Sequence, residues 1–213
     1  VDRELAKDLL SFKRLSKVLQ DLWDASVEDL TTYPEDTLPA PLQVEYHTPI
    51  VIRSNADFTP ENGVRGGSGT ASDPYIISGW FINVSDAVQR GLPAAIWISN
   101  TTAHYVIEGC VVGASDYDYL GTGILLENVS NAEVRDTVVN RMYLYAGIAV
   151  RNSSSVSLLS CRIYRCITGA KVYGSQQVWI SGLRYEGVYR PWQEYDRQWV
   201  GTAIEITDSS HIT

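Results

Sequence analysis

The sequence predicts an all-β solenoid of short stacked coils, preceded by an N-terminal amphipathic α-helix. Three observations predict it. The first is one recurring pattern: apolar-x-apolar-x-turn, four or five residues, an apolar residue, then a short apolar run. Ile124-Leu125-Leu126-Glu127-Asn128 leads to Val134 and Val138-Val139. Ile148-Ala149-Val150-Arg151-Asn152 leads to Leu158 and Cys161-Arg162-Ile163, and Ala170-Lys171-Val172-Tyr173-Gly174 leads to Ile180 and Leu183-Arg184-Tyr185. Ile96-Trp97-Ile98-Ser99-Asn100 opens the same pattern upstream, and Ile204-Glu205-Ile206-Thr207-Asp208 repeats it downstream. The second is the turn itself, where Asn100, Asn128, Asn152, Gly174 and Asp208 are residue types that tolerate left-handed backbone. The third is the shortness of the segments between apolar triplets, which leaves no room for helical crossovers. An antiparallel sandwich gives no reason for Asn at a fixed offset, whereas a solenoid does.

From Ile96 the repeat spacings are 28, 24, 22 and 34 residues, so one loop per coil absorbs the differences in length. Each coil is expected to contribute three short strands, each stacked on its counterpart in the next, over roughly five or six coils. Residues 1–30 read as a helical segment. Leu5, Leu9, Phe12, Leu19, Leu22 and Trp23 form one apolar stripe, with Lys7, Lys13, Arg14 and Lys17 off it. That stripe fits packing on its own protein or on another subunit. Pro34, Pro39, Pro41 and Pro49 make residues 31–49 an extended connector, and residues 50–213 the solenoid, with Thr213 falling inside a coil. An uncapped coil end exposes backbone and apolar core, which predicts self-association through coil ends or continuation into a longer solenoid.

The chain has 213 residues, 45% of them hydrophobic and 20% charged, enough for a sizeable core. Its net charge of −8 argues against nucleic acid or an anionic membrane as the main partner. No apolar run reaches the roughly 20 residues of a membrane span. The start at Val1 suggests a processed or truncated chain, and the expectation is an extracellular or cell-surface protein whose export signal was removed. The three cysteines read as free, buried core residues, with a Cys161–Cys166 pair as the lesser alternative. The glycine-rich run Asn62–Thr70 lacks the Lys of a phosphate loop, the second Gly of a nucleophile elbow and the carboxylate of a calcium-binding repeat, so it reads as a structural turn.

The run from Gly63 to Trp80, including Gly66-Gly67-Ser68-Gly69-Thr70-Ala71-Ser72-Asp73-Pro74-Tyr75-Ile76-Ile77, followed by Ile96-Trp97-Ile98-Ser99-Asn100, resembles the first coils of right-handed parallel β-helix proteins. The similarity is to archaeal secreted proteins with NosD-like repeats and covers roughly residues 47–213. It implies the fold; the superfamily hosts lyases, epimerases, hydrolases and structural modules, so it does not fix an activity.

Function is expected in the variable loops, 83–93, 113–121, 140–146, 164–168 and 185–201, which fall at one corner of the coil. The face they form would carry Tyr117, Tyr119, Tyr143 and Tyr145 with Tyr164 and Tyr185, and then Tyr189, Trp192, Tyr195 and Trp199 beside Arg190 and Arg197. Flat rings among charges suit polyols, so the first expectation is a binding or structural protein contacting a polysaccharide or glycan, without catalysis of its own and without a cofactor. The alternative is a polysaccharide-active enzyme, lyase-like or glycoside hydrolase-like, whose weak catalytic candidates are Glu186, Glu194 and Asp196. Asp116 and Asp118 are weak candidates for calcium. His47, His104 and His211 are scattered and, with a single Met, make no copper site. Sequons occur at Asn83, Asn100, Asn128 and Asn152. The last three coincide with the ladder turn, which would bar them from glycosylation if they point inward, so Asn83 in its loop is the acceptor candidate.

Overall fold

The computed structural model describes residues 44–113, 121–142, 145–189 and 199–213. The helical segment expected over 1–30 and most of the expected connector lie outside these residues.

Three parallel sheets run the length of the coil stack. Sheet A has six strands: Glu45–His47, Trp80–Asn83, Val111–Gly113, Val138–Asn140, Arg162–Tyr164 and Arg184–Glu186. Sheet B takes Ile50–Ile52, Ala94–Thr101, the first half of Thr122–Arg135, Ala146–Arg151, Thr168–Tyr173 and Thr202–Thr207. Sheet C takes Tyr75–Ser78, Tyr105–Glu108, the second half of Thr122–Arg135, Ser154–Leu159, Gln176–Ser181 and Ser210–Ile212. Thr122–Arg135 belongs to both B and C because its backbone bends at Asn128 without leaving the ladder. Two strands per coil are thus merged there where three separate ones were expected. The strand Glu45–His47 also sits within the stretch read as a connector; its pairing with Trp80–Ile82 extends sheet A upstream of residue 50.

Register explains the repeat. In sheet B, Ile50, Ile96, Ile124, Ile148, Ala170 and Ile204 form one inward column, and Ile52, Ile98, Leu126, Val150, Val172 and Ile206 a second. Sheet A adds Ile82, Val112, Val139, Ile163 and Tyr185, and sheet C adds Ile77, Ile107, Val134, Leu158 and Ile180. Alternation along each strand points these residues to the axis and their neighbours outward. A fully buried Ile or Leu stabilises by about 1.5–3 kcal/mol, so the columns dominate the fold energy.

The turn between sheets B and C carries the ladder. Asn100, Asn128, Asn152, Gly174 and Asp208 all have φ between 48° and 58°. Asn128 Nδ2 donates to Asn100 Oδ1 at 2.8 Å. All three asparagines are exposed, so the ladder points outward. The residue that turns inward is the next one, giving a second ladder. Ser153, Ser175 and Ser209 each donate a hydroxyl to the carbonyl two residues back, and the Ser153, Ser175 and Ser209 hydroxyl oxygens accept from the N–H of Val129, Ser153 and Ser175, one coil upstream. These bonds satisfy backbone N–H groups that the turn removes from the sheets.

Replacing Asn128 by Ala removes the bond to Asn100 and leaves a Cβ residue in left-handed backbone. The expected loss is about 1–2 kcal/mol by urea unfolding, and Asn128→Gly recovers part of it because glycine bears no Cβ penalty.

The first coil is closed. Val64–Gly66 pairs antiparallel with Tyr75–Ser78 and covers the edge of sheet C. Phe58 stacks on the Tyr75 ring at 4.5 Å and is buried with Val64 in the core, while Trp80 Nε1 donates to the Gly63 carbonyl at 2.7 Å. The glycine-rich run is the turn that allows this: Gly67, at φ 87°, lies where a Cβ would meet the Pro74 carbonyl at 1.9 Å.

Candidate functional site

The strands of sheet A end in a stacked row, Asn83, Gly113, Asn140, Tyr164 and Glu186. Sheet B restarts in a second row: Ala94 pairs with Thr122, and Ala146 with Thr168, which pairs with Thr202. Every variable loop leaves from the first row and returns at the second. The corner expected from the repeat spacing is therefore set by strand register, whatever the loop length.

The loops themselves are only partly described. Asp116, Tyr117, Asp118, Tyr119, Tyr143, Arg190, Trp192, Glu194, Tyr195, Asp196 and Arg197 lie outside the described residues, as do the side chains of Tyr189 and Trp199. The backbones of Tyr189 and Trp199 face each other in a two-stranded antiparallel ribbon that closes the base of the longest loop. Tyr145 is described and is exposed. Tyr185 belongs to the core column instead of the loop face: its hydroxyl donates to the Cys166 carbonyl at 2.9 Å, and burial pushes its pKa up. Gly201 leaves room for that hydroxyl, since a Cβ there would meet it at 1.9 Å. Glu186 is half-buried and already engaged by a partner. Tyr164 is on the outer face of sheet A. Burial raises its pKa most, with Glu186 adding to the rise and Arg162 and Arg184 opposing it.

The 83–93 loop is a short helix, Val84–Gln89. Asn83 caps it, accepting the Ser85 N–H at 3.0 Å, and the Ser85 hydroxyl of that sequon is buried. Asn83 therefore sits in a structured cap, while the ladder asparagines do not point inward and are exposed.

Cys110, Cys161 and Cys166 are free and buried. Thr137 takes the slot between the first two in the stack, its hydroxyl accepting from the Cys110 N–H at 3.4 Å. Burial pushes the thiols of Cys110 and Cys161 up to about 11 and that of Cys166 up to about 12, from an ordinary 9.0. An unfolded chain loses these protons first as pH rises. The thiols therefore contribute stability that is complete below about pH 9 and lost toward about pH 11–12. Urea midpoints should fall over that window, and Cys→Ser variants should flatten the fall. A thiol reagent should label the native protein slowly and the unfolded protein at all three positions.

Three features escaped the sequence reading. One is a small-residue column, Gly123, Gly147 and Gly169, at the start of sheet B, visible as the tripeptides Thr122-Gly123-Ile124, Ala146-Gly147-Ile148 and Thr168-Gly169-Ala170. Another is the inward serine ladder, visible as Asn152-Ser153, Gly174-Ser175 and Asp208-Ser209. The third is the charge pattern across rungs: Glu108 stacks on Arg135, 2.5 Å between charged atoms, and Lys171 on Glu205, 2.7 Å. Among the described residues no group of three or more His, Cys, Asp or Glu is placed to hold a metal ion.

Three parallel sheets, left-handed turns and a loop-bearing corner define a β-helix. A family model described as right-handed beta helix region matches residues 82–213, well over half of the chain, and the chain belongs to that family. Neither the search of curated proteins nor that of solved structures returns a match.

Proposed function

We propose that this is a secreted or cell-surface β-helix of binding or structural type that contacts glycan through its loop-bearing corner, akin to the secreted NosD-like repeat proteins. The observation that supports it most is the in-register corner: five loops of unequal length spring from adjacent rungs on one side of the stack, four of them carrying Tyr and the longest adding Trp and Arg. Loops on rigid supports are where binding residues concentrate, and aromatic rings beside charged groups suit the C–H faces and hydroxyls of sugars. A glycan array run with a turnover assay on neutral and acidic polysaccharides tests it. Binding without product is the expected result; shortened or unsaturated products would replace the proposal by an enzymatic one.

Self-association through a coil end is part of the same proposal. It runs through coil ends or through the N-terminal segment, and light scattering at high concentration, with and without residues 1–30, tests it: association that the deletion weakens is expected, and a monomer unchanged by the deletion would contradict it.

A further inference from the structure

Several cations on the outer surface of this β-helix meet a carboxylate on a neighbouring rung. Arg135 lies across from Glu108 in the ladder and also reaches Glu133 at 2.9 Å. Lys171 lies across from Glu205, and Arg65 reaches Glu45 at 3.0 Å. Each of these exposed cations has a carboxylate on a neighbouring rung. Arg162 and Arg184 are instead direct ladder partners of each other, on the outer face of sheet A, since Ile163 between Arg162 and Tyr164 is fully buried. Neither makes an ion pair among the described residues. Like charges directly opposite in a sheet are destabilising, and the chain, at a net −8, has carboxylates to spare. The rung above places Val138 in the same column, so the arginines occupy a position the fold can fill with an apolar side chain.

We propose that Arg162 and Arg184 form an oxyanion site that takes carboxylate or sulfate groups of an acidic saccharide, a substrate class that rests on the glycan-binding reading of the adjacent corner. Two arginines paired on adjacent rungs, with backbones about 4.8 Å apart, can offer two guanidinium forks to one anion, and such forks bind planar or tetrahedral oxyanions in pairs of hydrogen bonds. Arg184 is exposed and Arg162 half-buried, so both can be reached from solvent. Tyr164 is two residues from Arg162 on the same face, within the electrostatic reach of both arginines and of Glu186. Its ring stands at the root of a loop, between the anion site and the corner. Glu186, the carboxylate of this face, lies across from Tyr164 in the ladder, one step along from the arginine pair. A saccharide held here would have its acid groups on the arginines and its ring toward the loops.

Affinity electrophoresis of the full chain through gels containing polygalacturonate, dextran sulfate or neutral dextran tests the site. Retardation by both acidic polymers is expected. Arg162→Gln and Arg184→Gln should each weaken it about tenfold, with a steeper loss in the double variant and a shallower salt dependence. Because the substitutions relieve like-charge repulsion, the double variant should melt at or above the wild-type temperature, which separates loss of a site from loss of the fold. A double variant retarded like wild type, or one that loses binding only by melting earlier, overturns the site. Retardation in neutral dextran alone, unchanged by the substitutions, overturns the site while leaving the glycan reading standing; no retardation in any gel overturns both.

Discussion

Ile124→Ala should destabilise the protein by about 3–4 kcal/mol, measured as the shift in urea unfolding. Ile124 is fully buried in the middle of a sheet B column, between Ile96 and Ile148. Truncation removes the transfer energy of three carbons and leaves a gap bounded by two more isoleucines and by the strands themselves. A stack of parallel rungs is fixed at its strand spacing by backbone hydrogen bonds, so it cannot collapse along its axis to fill that gap. Ile124→Val, which removes one carbon from the same slot, should cost about 0.5–1.5 kcal/mol. Equal losses for the two variants would contradict the column arrangement.

Gly147→Val should be at least as damaging, for the opposite reason. A Cβ at Gly147 would meet Ile163 Cγ2 at 2.5 Å and the Gly169 carbonyl oxygen at 3.1 Å. Gly123 meets the same crowding one rung earlier, from Val139 Cγ1 at 2.5 Å and the Gly147 carbonyl oxygen at 2.6 Å. These glycines let the inner residues of sheet A lie against the backbone of sheet B just past the loop corner. Overpacking of a tight core costs about 1–3 kcal/mol even for small additions, and a β-branched side chain adds two further carbons with no free direction. The expected result for Gly147→Val is a loss above about 3 kcal/mol, with Gly147→Ala intermediate. Shortening the facing side chain, as in Ile163→Val/Gly147→Ala, should recover part of it; no recovery would show that the backbone clash dominates.

Much of this fold is legible in the residues because the solenoid writes the same physics several times. Asn, Gly and Asp recur where φ is positive, and apolar residues recur where strands face the axis. Direction was harder. An Asn in left-handed geometry says that the chain turns, but whether its side chain or the next one enters the core depends on the sense of that turn, and here it is the serines that enter. The helix after Asn83 was hidden because six residues are too few for a helical period to emerge from Val84-Ser85-Asp86-Ala87-Val88-Gln89. The glycine column was hidden for a simpler reason: a pattern built on apolar side chains passes over positions whose role is to have none. The candidate site divides the same way. Spacing alone located the corner, while the pairing of Arg162 with Arg184, 22 positions apart, becomes visible only once register is known.

The corner has a further consequence for how such a chain can change over generations. Since each loop leaves from Asn83, Gly113, Asn140, Tyr164 or Glu186 and returns to a strand already in register, a loop can lengthen without moving any rung. The three residues between Tyr164 and Thr168 and the longer passage from Glu186 to Thr202 close the same gap between the same two rows. A one-residue insertion within a strand would shift its register and turn its inward side chains outward, and the turn between sheets B and C varies by a single residue, at 102–104. Large changes in length are therefore gathered at one seam, which can vary while the stack that supports it stays the same.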